Sequence, residues 1–87
     1  MKIQGNIIAG EFDEKMNEFT LQEIKYFATQ STLRINQFNT LYEYLCKHQN
    51  ESDRQVLTLY DQMPVYLTKK EIRQLIEDLR TIKPLYN

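Results

Sequence analysis

Eighty-seven residues carry 11 basic and 12 acidic side chains, a formal charge of −1, with 41% apolar and 26% charged residues. Those proportions suit a globular domain, with length enough for one core and not two, and too much apolar content for a wholly disordered chain. The longest apolar runs, such as Ile7-Ile8-Ala9, stop at three residues, so neither a spanning helix of ~20 residues nor a secretory core of roughly 7–15 is expected.

The rare residues narrow the chemistry. Both glycines, Gly5 and Gly10, fall in the first ten positions, which leaves none for a phosphate-cradling loop or a dinucleotide fingerprint further on. Cys46 is alone, so no disulfide framework is expected, and a reducing cytoplasm is the predicted setting. The sequon Asn50-Glu51-Ser52 is then without consequence. Cys46 and His48 are the only soft metal ligands. Two residues apart on a helix, they point about 200° away from each other and cannot act as a nucleophile–base pair. Cys46 reads as a packing residue and His48 as a helix-end residue. The carboxylate pairs Glu11/Glu14 and Glu77/Asp78 read as solvated charges. No enzyme, metal or cofactor is expected.

In chain order, residues 1–10 read as an extended arm or strand, because two glycines and clustered isoleucines disfavour a helix. Phe12, Met16 and Phe19, at i, i+4 and i+7, suggest an opening helical turn. Phe19-Thr20-Leu21-Gln22-Glu23-Ile24 and Leu67-Thr68-Lys69-Lys70-Glu71-Ile72 each combine a capping box with a hydrophobic staple, the pattern of a helix start. They predict helices over 20–29 and from Thr68 onwards. Ser52-Asp53-Arg54-Gln55 is a weaker third box. A helix over 32–48 is predicted to bury Ile35, Phe38, Leu41, Tyr42, Leu45 and Cys46. Residues 56–67 fit either a helix begun at Ser52, with Val56, Leu59, Tyr60 and Met63 on one side, or a hairpin around 61–64. The Ser52 cap favours the helix. The last helix presents Ile72, Leu75, Ile76, Leu79 and Ile82 along one arc, stops at Lys83-Pro84, and leaves a tail at 84–87 pinned by Tyr86.

The predicted fold is therefore all-α: about four short helices in a compact bundle over 11–83, preceded by the extended arm. The alternative is a helix-turn-helix with a β-hairpin wing at 56–67.

Two surface stripes follow. Lys69, Arg73 and Arg80 form a ridge beside the apolar arc, able to grip an anionic partner or simply to cover the core edge with their stems. Leu33, Gln37, Thr40 and Tyr44, at i, i+4, i+7 and i+11, form a second stripe away from the main seam, and Tyr there suits an interaction face.

Residues 21–28, the polar break Thr29-Gln30-Ser31 and the helix after it resemble a helix-turn-helix, with Phe27, Ala28, Leu33, Phe38 and Leu41 at spacings similar to that family's buried positions. The resemblance implies that Arg34, Asn36, Asn39 and Thr40 face a DNA groove, with phosphate contacts from Lys69, Arg73 and Arg80. With 56–67 as a wing, residues 20–82 also resemble the small winged-helix excisionases of mobile elements. The chain departs from that pattern at Thr32, where a turn glycine is usual, and at Asp61-Gln62-Met63, a wing with no basic residue.

The function these patterns favour is non-catalytic: a small regulator, adaptor or inhibitor, of the sort a mobile element carries. It would contact a larger cytosolic protein, or a second copy of itself, through Leu33, Gln37, Thr40 and Tyr44. No membrane role is expected. DNA binding is the alternative.

Overall fold

A computed structural model describes residues 1–51, 55–58 and 64–87. It is α+β, not an all-α bundle. Four strands, β1 (Lys2–Gln4), β2 (Ile8–Asp13), β3 (Glu18–Ile24) and β4 (Phe27–Arg34), form one antiparallel sheet in the order β1-β2-β3-β4. Helix α1 (Ile35–His48) follows, then the hairpin β5 (Gln55–Thr58) and β6 (Pro64–Leu67), helix α2 (Lys69–Ile82) and a 3₁₀ turn at Lys83–Leu85.

Residues 11–29, expected to be helical, are strands and tight turns. Phe12 and Phe19 are opposite partners on β2 and β3, and Met16 is exposed in the turn between them. The helical i, i+4, i+7 spacing is thus a hairpin seen in one dimension. In that turn the Asp13 carboxylate accepts the amides of Lys15 and Met16 at 3.0 and 3.1 Å, and Asn17 takes φ 53°.

The predicted helix over 20–29 is β3, a two-residue turn and the start of β4. Phe19, Leu21 and Ile24 are buried on one face of β3. Their spacing of two and then three arises because the pairing with β2 slips: Gly10 faces Leu21 and Ala9 faces Glu23, so β3 carries one extra residue, Gln22, in a bulge. Thr20 therefore caps nothing. Its hydroxyl lies 3.2 Å from that of Thr32 across the sheet. Lys25 and Tyr26 both have positive φ, 51° and 73°, the handedness that matches a tight hairpin to twisted strands. The helix-turn-helix reading loses its first helix here. Its second helix starts at Ile35, three residues later than expected, because β4 runs through Arg34.

The stapled start at Thr68 forms as expected. Thr68 Oγ1 accepts the Glu71 amide at 3.2 Å, and Glu71 Oε1 accepts the Thr68 amide at 2.9 Å. Leu67 and Ile72 are both buried, with Leu75, Ile76, Leu79 and Ile82 along the arc. Residues 56–58 and 64–67 are strands, so the hairpin reading holds over them. The Ser52 box and the positions Leu59, Tyr60 and Met63 lie outside the described residues.

One core joins the inner face of the sheet (Ile8, Phe12, Phe19, Leu21, Ile24, Leu33), Phe38 and Leu45 of α1, Leu57, Val65 and Leu67 of the hairpin, and the apolar arc of α2. Gly10 completes the inner face of β2. A Cβ there would lie 2.2 Å from the Thr20 carbonyl and 2.7 Å from the Phe19 ring, so the Phe19 ring packs where no side chain fits. Lys25 Nζ reaches the Tyr66 carbonyl at 2.7 Å and Glu71 at 3.0 Å, tying the β3–β4 turn to the start of α2. Tyr86 packs edge-on to Phe12 and against Phe38, centroids 4.9 and 5.0 Å away, and its hydroxyl donates to the Leu33 carbonyl at 2.7 Å.

Candidate functional site

The four residues of the expected contact stripe do not share one helix face. Leu33 is in β4, buried to 4% exposure, and belongs to the core. Gln37 works at the start of α1, where its Oε1 accepts the Arg34 amide at 2.8 Å. Thr40 back-bonds to the Asn36 carbonyl at 2.9 Å. Tyr44 remains 38% exposed, and its hydroxyl donates to Gln55 Oε1 at 3.4 Å.

The fold nevertheless brings the four together. They line one groove of about 280 Å³, joined by Leu21 of β3, Leu41 of α1, and Val56 and Leu57 of β5. Its floor is the edge of the core at Leu33 and Leu57. Its rim carries Tyr44 on the helix side and Val56, 45% exposed, on the strand side. Such a rim exposes apolar carbon over a floor that is already dry, the arrangement that favours a partner's apolar side chain. The sequence pointed at the α1 wall and missed the β5 wall. The signal was present in Val56-Leu57, which alternate as strand residues do, but the Ser52 cap argued for a helix.

Val56 pairs directly with Tyr66 on β6, and both are exposed, 45% and 55%. The apolar surface therefore continues from the groove across the hairpin. Tyr44 also stacks on His48, with centroids 4.5 Å apart. His48 Nδ1 in turn lies 2.6 Å from Glu51 Oε1. The Glu51 carboxyl is held below its usual range, first by that His48 hydrogen bond, which outweighs the opposing effect of desolvation, and to a lesser degree by Gln55 and Lys47.

The residues expected to contact DNA fall in two groups, one at the start of α1 and one on α2. Arg34 ends β4 and its Nε sits 3.4 Å from Glu18 Oε2, a cross-strand ion pair. Asn36 and Asn39 are on α1, exposed and half-buried. Lys69, Arg73 and Arg80 are exposed on α2, and Arg80 Nε donates to the Tyr42 hydroxyl at 3.0 Å, with Lys83 Nζ 5.2 Å from the same ring. Asn36, Asn39 and Thr40 thus share α1 with Arg34 at its N-cap, and the three basic residues assigned to phosphate contacts share α2.

Of the carboxylate pairs, Asp78 is buried and accepts the Asn6 and Ile7 amides at 2.7 and 2.9 Å, so it is not a solvated charge. Cys46 packs half-buried against the core, apart from the His48–Glu51 pair. Among the described residues, no three His, Cys, Asp or Glu side chains gather as a metal site, and no helix is long and apolar enough to cross a membrane. No family model, no curated protein and no solved structure matches the chain.

Proposed function

We propose that this is a non-catalytic regulator or adaptor that acts by protein–protein contact, receiving an apolar side chain of a larger cytosolic partner in the groove between α1 and β5. The observation that carries the reading is the convergence of Leu33, Gln37, Thr40 and Tyr44 with Val56 on one largely apolar groove, although they come from three different elements. An exposed Tyr beside an exposed Val supplies a rim whose burial stabilises a complex. A second copy of the chain is the other occupant such a groove admits, and the test separates the two.

The experiment is capture of partners from a cytosolic extract by the wild-type chain, by Tyr44→Asp, by Val56→Asp, and by Thr32→Asp on the opposite face of the sheet. Specific capture by wild type and Thr32→Asp, lost in both groove variants at unchanged helical signal, supports the reading. A dimer on size-exclusion that dissociates in the groove variants assigns the groove to self-association. Capture that ignores both groove variants overturns it. So does retention on DNA that falls steeply with added salt and depends on Lys69, Arg73 and Arg80, which would put the function on α2.

A further inference from the structure

Four side chains close a ring at the mouth of the groove. Tyr44 and His48 stand one turn apart on α1, their ring planes tilted by 46°. His48 Nδ1 meets Glu51 Oε1 at 2.6 Å, Glu51 Oε2 accepts Gln55 Nε2 at 2.8 Å, and Gln55 Oε1 accepts the Tyr44 hydroxyl at 3.4 Å. Gln55 opens β5 and precedes Val56. The ring thus links the end of α1 to the strand that forms the opposite wall of the groove.

We infer that this ring is a protonation-dependent latch: a charged His48 fixes Tyr44 and the start of β5, and a neutral His48 lets both loosen. The purpose of the latch rests on the groove being a docking site, but its existence does not. An imidazolium converts the Glu51 contact from a hydrogen bond between a neutral ring and a carboxylate into an ion pair with both partners charged, the stronger form, and turns a cation towards the Tyr44 ring. The oxygen that holds Gln55 belongs to the same carboxylate, so the gain passes along the chain of hydrogen bonds.

Among the described residues, the titratable and charged groups that face His48 are the Glu51 carboxylate and the Tyr44 phenol, with Lys47 acting on Glu51 from the same helix end. Glu51 stays ionised while an imidazole titrates, so only the imidazole changes charge across that window. The latch is tight with His48 charged and slackens as the imidazole loses its proton. It opens again only where Glu51 itself takes up a proton.

Amide hydrogen exchange followed by NMR tests this on the protein alone. Protection at residues 56–58, corrected for the intrinsic pH dependence of exchange, is expected to be about two- to threefold greater with His48 charged. It should follow the midpoint of the His48 ring protons, while the Ile76 amide in the core of α2 shows no such step. Glu51→Gln and His48→Gln should each remove the step. A flat profile in the wild type, or a step that survives Glu51→Gln, overturns the latch. Should Glu51→Gln destabilise the whole fold, the wild-type cross-peak between the Tyr44 ring and the Gln55 side-chain amide decides. It strengthens as His48 charges if the latch exists, and constancy refutes it. Failure of the partner capture would leave this measurement standing, and failure here would leave the groove available as a contact surface.

Discussion

The Asp78 carboxylate accepts the backbone amide of Asn6 at 2.7 Å, joining the middle of α2 to the turn between β1 and β2 across 72 positions of sequence. Its second oxygen takes the Ile7 amide at 2.9 Å. Gly5 stands so close that a Cβ would lie 2.3 Å from Asp78 Cγ. A buried carboxylate thus takes the two inner amides of a turn whose ends are joined by the Gly5 amide donating to the Ile8 carbonyl at 2.8 Å, and the turn lacks a side chain at Gly5, where one would collide with it.

Asp78→Ala leaves both amides without that acceptor and is expected to lower stability by about 2–3 kcal/mol. Gly5→Ala should destabilise by a similar amount in the wild type and by clearly less in the Asp78→Ala background, where the obstructing carboxylate is gone. Urea unfolding of the two single variants and the double variant measures the coupling. Strict additivity would mean that the two residues do not share one contact.

Gly10→Ala places a methyl group against the Thr20 carbonyl and the Phe19 ring at 2.2 and 2.7 Å. Backbone cannot yield as a flexible side chain does, so a loss of about 3 kcal/mol is expected. Adding Phe19→Leu should relieve the ring contact but not the carbonyl contact. The double variant is therefore predicted to recover little, as read by thermal melting.

What could be seen in the sequence depended on whether periodicity survived local irregularity. Ile72 to Ile82 keep an undisturbed helical arc behind a true capping box, and the structure follows it. The box at Thr20 has the same letters, but its residues lie in a strand whose bulge against β2 stretches one apolar interval from two to three. In β2 the alternation Ile8, Gly10, Phe12 is hidden because its middle member has no side chain, and in β4 a fully buried Ser31 stands before Leu33. In β2 and β4 strand periodicity is present but carried in part by residues that hydrophobic counting does not register, whereas in β3 the bulge breaks it. The groove was half legible for the same reason. Gln37, Thr40 and Tyr44 could be placed from the helix, whereas Leu33 entered by a helical spacing that does not exist in β4.

Leu33 and Tyr44, paired by sequence spacing, are therefore expected to part company under mutation. Leu33→Ala removes a core side chain and should cost about 2–4 kcal/mol. Tyr44→Ala removes a rim residue with one long hydrogen bond and should cost less than about 1 kcal/mol, while abolishing partner capture. Equal losses of stability from both would place Tyr44 in the core and take the helix-side wall away from the groove.

Tyr86 should make the fold sensitive to alkali. Its phenol is pushed up to about 12, by burial first and by the charge of Glu18, with the Phe19 backbone acting in the opposite direction. Below pH ~10, the ordinary value for a phenol, Tyr86 is neutral in both folded and unfolded chains and the stability is fully present. Between roughly pH 10 and 12 the unfolded chain loses this proton more readily than the folded one, so stability falls as pH rises through that interval. Tyr86→Phe loses the hydrogen bond to the Leu33 carbonyl and should be less stable at neutral pH by about 1 kcal/mol. Its melting temperature should nonetheless decline less steeply over that interval than that of the wild type, because the remaining tyrosines are common to both. Parallel declines in the two proteins would show that the Tyr86 hydroxyl ionises as easily in the fold as out of it, and that its contact with Leu33 does not hold the C-terminal end in place.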